Sequence, residues 1–204
     1  MYARRGKRFL SWTRHLLLIA GVAALCYVAY VFVQARFFQQ QANDALDQEI
    51  KGGGPSADSA SGRPVKEGEV LGRIDIPRIG VTVAILQGTK SKTLRLGVGH
   101  IEGTPLPGEG GNVGIAGHRD TWFRNLKDIR TGDDIQIETA AGLSQYKVDW
   151  VQIVAPNDLG VLAPSTESAI TLVTCYPFYY VGPAPERFVV HARKLQALVN
   201  DSAD

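Results

Sequence analysis

A cysteine, a histidine and an arginine set far apart in the chain have the side chains that acyl transfer requires. Cys175 closes the string Thr171-Leu172-Val173-Thr174-Cys175, and the other cysteine, Cys26, lies inside an apolar N-terminal run. With Cys26 in a membrane, Cys175 has no partner for an intramolecular disulfide on the far side. One common reason to keep a lone thiol in an oxidising compartment is that it is a nucleophile. Such a nucleophile must be a thiolate, and a free cysteine has a pKa of about 8.5. A neighbouring imidazolium stabilises the thiolate and later donates a proton to a leaving amine. A fixed donor must meet the charge that develops on the attacked carbonyl, and arginine offers a permanently charged, rigid fork.

His118 and Arg187 are the candidates for those two roles, and side-chain parity is what nominates them. In 112–118 Val113 and Ile115 form the apolar face, and Asn112, Gly114, Ala116 and His118 form the other. In 168–175 Ile170 and Leu172 face inward while Thr171, Val173 and Cys175 face away. In 186–193 Phe188, Val190 and Ala192 face one way and Arg187, Val189, His191 and Arg193 the other. His118, Cys175 and Arg187 thus fall on non-core faces, each at the end of its run. The competitors are His100, before a Gly/Pro-rich loop and read as structural or groove-lining, and His191, four residues beyond Arg187 and about 13 Å along a strand. Arg193 lies further still. Asp120 reads as a partner for His118 or, more simply, as one half of a surface salt bridge. The aromatic run Tyr176, Phe178, Tyr179 and Tyr180, with Pro177, reads as core packing or as one wall of a substrate groove.

The elements that must position these residues are predominantly strands. Period-two runs split by Gly, Pro and Asp predict strands at 70–76, 81–87, 97–101, 112–118, 133–139, 144–155, 168–175 and 186–193. Short helical turns fit 90–96 and 121–128. Eight strands at this spacing suggest a closed barrel or a sandwich. No internal repeat is visible.

Ahead of the strands, Leu16 to Val33 is an uncharged run of 18 residues. As a helix it spans about 27 Å, against a hydrocarbon core of about 30 Å. Five Lys/Arg precede it and Arg36 follows, which predicts a cytoplasmic N-terminus. Gln34-Ala35-Arg36-Phe37-Phe38 is a poor cleavage site, so the run reads as an uncleaved anchor rather than a signal peptide. The net charge of +2 belongs to this end of the chain. Residues 1–36 hold six Lys/Arg and no acid, and the remainder holds sixteen basic and twenty acidic groups. A nucleic-acid partner for the main domain therefore loses its support. The organisation expected is a basic cytoplasmic tail (1–15), a transmembrane anchor (16–33), a juxtamembrane helix and Gly/Ser/Pro-rich flexible linker (34–68), a catalytic domain (69–198) and a short tail (199–204).

The strings TLVTC at 171–175, NVGIAGHRD at 112–120 and ERFVV at 186–190 resemble the cysteine, histidine and arginine segments of the sortases. Sortases are membrane-anchored cysteine transpeptidases. The resemblance covers about residues 69–195. The stretches LGVGHIEGTPLPGEGGNVGIAGHRDTWF (96–123) and TCYPF (174–178) are most similar to class D members. The resemblance implies an eight-stranded sortase-type β-barrel with short helices behind one transmembrane helix. It implies cleavage of a Leu-Pro-x-Thr-Gly-like sorting signal after Thr, through a thioacyl intermediate on Cys175. An amine from a peptidoglycan precursor or a pilin lysine then resolves that intermediate. By motif, Cys175 is the nucleophile, His118 the general acid/base, and Arg187 the group that positions substrate and stabilises the oxyanion. Thr174, Tyr176 and Pro177 are the substrate-binding candidates. The partners implied are secreted proteins bearing the signal, and the location is the outer face of the cell membrane. No metal or organic cofactor is implied.

Two other functions fit parts of the pattern. Peptidoglycan L,D-transpeptidases also use Cys and His in an exported β-rich domain, but within a compact motif carrying Ser-x-Gly-Cys. Here 56 residues separate His118 from Cys175, which is followed by Tyr176. A non-catalytic peptide-binding module would have no use for an intact Cys/His/Arg set.

Overall fold

The computed structural model describes residues 2–51 and 65–195. The chain divides into two compact units, Met1–Phe38 and Gln39–Asp204. Helix α1 runs from Tyr2 to Lys51. Its Trp12–Gln48 portion is long and apolar enough to cross a membrane. Within it Leu16, Leu17, Ile19, Leu25 and Val33 are exposed, as lipid-facing side chains would be. The linker expected after α1 lies largely outside the described residues, at 52–64, as does the tail at 199–204.

The second unit is built on eight strands: β1 (Val70–Ile76), β2 (Val81–Gln87), β3 (Val98–His100), β4 (Asn112–Gly117), β5 (Asp134–Thr139), β6 (Gly142–Val154), β7 (Ala169–Tyr176) and β8 (Glu186–Lys194). They close into a barrel in the order β1-β2-β3-β4-β7-β8-β6-β5. The β2–β3 and β4–β7 pairs are parallel and the others antiparallel. The apolar faces expected from alternation line the interior: Ile74, Val83, Val113, Ile137, Leu172 and Val190 belong to one buried cluster. Helix α2 (Ser91–Leu96) and 3₁₀ turns at Pro77–Ile79, Arg124–Asp128 and Gly160–Leu162 fill the connections.

Alternation fails usefully in β2. Val81, Val83 and Ile85 point inward, so Ala84 and Leu86 must point out, yet they are 1% and 0% exposed. The C-terminal part of α1 supplies contacts on this side. Ala42 and Leu46 are buried, the Gln39 amide oxygen accepts from Ala84 N at 2.8 Å, and its Nε2 donates to Leu96 O. Asp47 pairs with Arg73 of β1 at 3.4 Å. At the end of the segment read as linker, Glu67 accepts from Thr93 and Gly68 N donates to Gln87 O at 2.8 Å, which fastens those residues to the barrel.

Candidate active site

Strand register brings the three distant residues into one row. In the parallel β4–β7 pair Gly117 lies opposite Thr174, so His118 comes level with Cys175. In the antiparallel β7–β8 pair Cys175 lies directly opposite Arg187. Adjacent strands are about 4.8 Å apart, so His118 and Arg187 flank Cys175 at one strand spacing each. All three are partly exposed at the same barrel end. The row sets a histidine and an arginine on the strands either side of a cysteine, the residue set that acyl transfer through a thioester requires.

The backbone beneath the row is tightly built. The buried Thr174 hydroxyl donates to Gly117 O at 2.8 Å and ties β7 to β4 one residue before His118. A Cβ on Gly117 would lie 2.6 Å from the buried Phe123 ring, so any larger residue there would force the ring or the strand to move. Phe123 N donates to His118 O at 3.1 Å, which fixes the turn that leaves β4. Thr174 was expected to shape the site, and its hydroxyl is engaged in this strand-to-strand bridge.

The aromatic loop divides between the two readings offered by sequence. The Tyr176–Pro177 peptide is cis. Tyr176 and Phe178 pack against the core and against Phe188, with the Phe178 and Phe188 ring centroids 5.2 Å apart. Tyr179, Tyr180 and Val181 are exposed. Arg187 Nη1 donates to Glu186 O at 2.9 Å and Ala184 O at 3.3 Å, so its guanidinium folds back along the same loop.

Away from the row, the outer face of β4 and β7 becomes covered. Asn112 and Thr171 are buried at its far end, where Asn112 Nδ2 donates to Val161 O at 3.1 Å and Ala163 O at 3.2 Å. A Cβ at Gly114 would meet Leu162 and Ile101 at 3.0–3.2 Å, so that stretch is already roofed. Ala116 and Val173 follow, partly exposed, and lead to His118 and Cys175.

The competing histidines are occupied elsewhere. His100 is 2% exposed, with Nε2 2.9 Å from Pro105 O and Nδ1 2.9 Å from the Gln87 amide. Burial pushes its pKa below the usual histidine value, with the Pro105 contact opposing. His191 stacks on Trp150 with centroids 4.9 Å apart, and its Nδ1 lies 2.8 Å from the Asp149 carboxylate. Arg193 pairs with the same Asp149 at 3.0 Å. Asp120 forms no ion pair among the described residues.

Arg119 was missed. Directly after His118, its Nη1 donates to Pro177 O at 2.9 Å, and its Nη2 to Tyr180 O at 2.8 Å and Gly182 O at 3.2 Å. It also lies 5.9 Å from the Tyr180 ring centroid. One side chain therefore fastens the loop after Cys175 to the segment just beyond β4 that carries His118. The signal lay in plain view as the arginine of AGHRD, but its acceptors are backbone carbonyls, which no side-chain pattern announces.

Known proteins share this architecture. A sortase domain model matches residues 74–195. The chain is 32% identical over 152 residues to Sortase D of Bacillus subtilis, covering 72% of this chain and 77% of that one. It is 25% identical over 183 residues to Sortase A of Staphylococcus aureus, covering 81% and 88%. The solved structure of a Clostridium perfringens Sortase D5 transpeptidase superimposes with a TM-score of 0.68 at 28% identity, over 78% of this chain and 99% of that one. With a barrel of the same topology matched over most of its length, the chain belongs to the sortase family of cysteine transpeptidases and is most like its class D members.

Proposed function

We propose that this sortase cleaves a Leu-Pro-x-Thr-Gly-like sorting signal after Thr and transfers the new carboxyl end to an amine of a peptidoglycan precursor or a pilin lysine. The observation that carries this reading is the His118–Cys175–Arg187 row across β4, β7 and β8. The Cys175 thiolate attacks the Thr carbonyl, and Arg187 donates to the oxyanion and to the substrate backbone. His118 gives its proton to the departing Gly amine as the C–N bond breaks and leaves a thioester. The neutral acceptor amine then attacks the thioester, passing a proton to His118 as the C–N bond forms and the C–S bond breaks, and the thiolate departs. The apolar residues of the signal lie against the partly exposed Ala116 and Val173, with Tyr176 and Pro177 bordering the scissile bond and Thr174 holding the strands beneath it.

Residues 16–33 anchor the enzyme in the cell membrane in this reading. The five Lys/Arg ahead of them keep residues 1–15 in the cytoplasm and place the catalytic domain, 69–198, outside. That is where secreted proteins and cell-wall amines meet.

The test uses the full chain in detergent micelles and a fluorogenic Leu-Pro-x-Thr-Gly peptide, with and without an added amine. Turnover should disappear in Cys175→Ala and fall at least about a thousandfold in His118→Ala and Arg187→Ala. Mass spectrometry should find the acyl group on Cys175 and nowhere else. Full turnover in Cys175→Ala would sink the reading.

A further inference from the structure

The connection between β7 and β8 presents apolar side chains to solvent. Tyr179, Tyr180 and Val181, consecutive in the chain, are 75%, 46% and 96% exposed. Elsewhere on the barrel Leu143, Ile153, Leu159 and Leu195 are exposed too, but singly, which is ordinary for a protein surface. A run of three at one loop tip is not. Residues 176–185, Tyr-Pro-Phe-Tyr-Tyr-Val-Gly-Pro-Ala-Pro, also contain no charged side chain.

The backbone of this loop suits a medium poorer in water. Unpaired carbonyls and amides are the main cost of leaving water for lipid. Here Arg119 takes up the carbonyls of Pro177, Tyr180 and Gly182 from the barrel side, and Tyr180 N donates to Pro177 O at 3.4 Å. Pro177, Pro183 and Pro185 have no N–H to satisfy. Basic groups flank the tip. Lys127 Nζ donates to Tyr179 Oη at 2.8 Å and lies 5.5 Å from its ring centroid, and Arg124 lines the same hollow as Lys127 and Tyr179. Asp120 lines that hollow as well, and Asp128 attracts Lys127, so the local charge nearly balances. Attachment at this tip therefore has to come from its apolar side chains, with the two cations placed to meet phosphates.

We propose that the Tyr179–Val181 tip docks on the lipid bilayer. Val181 enters the shallow acyl region, the tyrosine hydroxyls stay at the headgroups, and Lys127 and Arg124 face lipid phosphates. Rings with one polar end, beside basic groups, are the side chains that settle at a membrane interface. The chain itself names the occupant. Its Trp12–Gln48 portion is long and apolar enough to cross a membrane, which keeps a bilayer within reach at high effective concentration. The docking rests on the reading that residues 16–33 are that anchor. So small a tip gives a reversible contact, formed and released while the anchor stays in place. The loop starts directly after Cys175, so the contact turns the Cys175 end of the barrel towards the headgroups. The thiol then meets peptide chains lying at the membrane surface.

The experiment places the full chain in nanodiscs of phosphatidylethanolamine and phosphatidylglycerol, with part of the lipid brominated near the top of the acyl chains. Bromine quenches tryptophan on contact, and interfacial side chains reach about 5–10 Å into the headgroup–acyl boundary. Val181→Trp supplies the probe. Leu159→Trp, at a position 73% exposed on another loop, controls for the affinity of any exposed tryptophan for lipid. Wild type, with Trp12, Trp122 and Trp150, gives the background. Emission above that background should fall by roughly half or more in Val181→Trp and by less than about a tenth in Leu159→Trp. Equal quenching at the two positions, or none at position 181, overturns the docking. Shielding of the Val181→Trp probe from aqueous acrylamide without lipid quenching assigns the tip to a protein contact and overturns it as well. Co-elution of wild type with the discs reads the anchor separately. Co-elution with an unquenched probe overturns the docking alone, and a chain that does not enter the discs overturns the anchor reading and the docking with it.

Discussion

Replacing Arg119 by alanine should cripple cleavage while leaving the barrel intact. Three donor contacts are lost, to Pro177 O, Tyr180 O and Gly182 O at 2.8–3.2 Å. Two of them are solvent-exposed, which argues for about 1 kcal/mol apiece rather than the larger values of buried charged bonds. Together they hold the connection between β7 and β8 with about 3 kcal/mol. Ordering each backbone residue costs about 1–2 kcal/mol, so such a loop is near balance and that loss tips it. If catalysis needs the ordered loop, kcat/KM should fall by roughly two orders of magnitude. A lysine in its place would offer one compact ammonium instead of a fork spanning three carbonyls, so Arg119→Lys should recover only part of the loss. Because the cost of ordering the loop nearly offsets those contacts, its release changes global stability little, and Tm should move by less than about 2 °C. Peptide cleavage gives the rate, thermal denaturation the fold, and hydrogen exchange over 178–183 the order of the loop. Cleavage within about threefold of wild type, with unchanged exchange, would refute the clamp.

Three further outcomes follow from contacts described above. Gly117→Ala drives a Cβ to 2.6 Å from the Phe123 ring, and overpacking of this kind costs about 1–3 kcal/mol. A lower Tm and weaker thioacyl trapping are expected, and an unaltered Tm would show that β4 can give way. Leu46→Ala should loosen the α1 docking by about 2 kcal/mol and speed exchange at the Ala84 amide, which donates to Gln39. Slow exchange at Ala84 in that variant would mean that the helix docks without Leu46. His100 titrates below its unfolded value of about 6.5, so the unfolded chain binds the proton more readily. Its contribution is full above about pH 6.5 and is lost as pH falls through the depressed folded value. Urea midpoints should therefore drop between about pH 7.5 and 5.5 in wild type and drop less in His100→Gln.

Much of this was legible in the strand pattern. Val113 and Ile115, Ile170 and Leu172, and Phe188, Val190 and Ala192 each marked a core face, and their opposite faces carried His118, Cys175 and Arg187. Alternation is a local property, and the closed barrel let it speak for long-range placement. Where the backbone departs from regularity, the pattern falls silent. A bulge between Val148 and Trp150 re-aims β6 so that Trp150 stacks on His191, while Asp149 reaches both His191 and Arg193. No residue type in that stretch announces the bulge. Ala84 and Leu86 did break alternation on the outer face of β2, and that break was a readable sign of a covering element. The covering residues lay across the composition change at 51–68, which drew attention to tether chemistry instead. Arg119 escaped because it serves carbonyls rather than side chains.

The parallel pairing of β4 with β7 has a kinetic side. All of β5 and β6 must be made before β7 exists to pair, and synthesis delivers β7 and β8 last. Contacts between residues this distant in the chain form slowly, because the entropy of loop closure is lost before the pairing compensates it. Until that seam zips, Cys175 lacks the His118 segment beside it, even where β8 has already paired with β7. A half-made barrel therefore carries a thiol with no imidazole beside it. Activity then appears with the final strands, and a turnover assay doubles as a clock for the completion of folding.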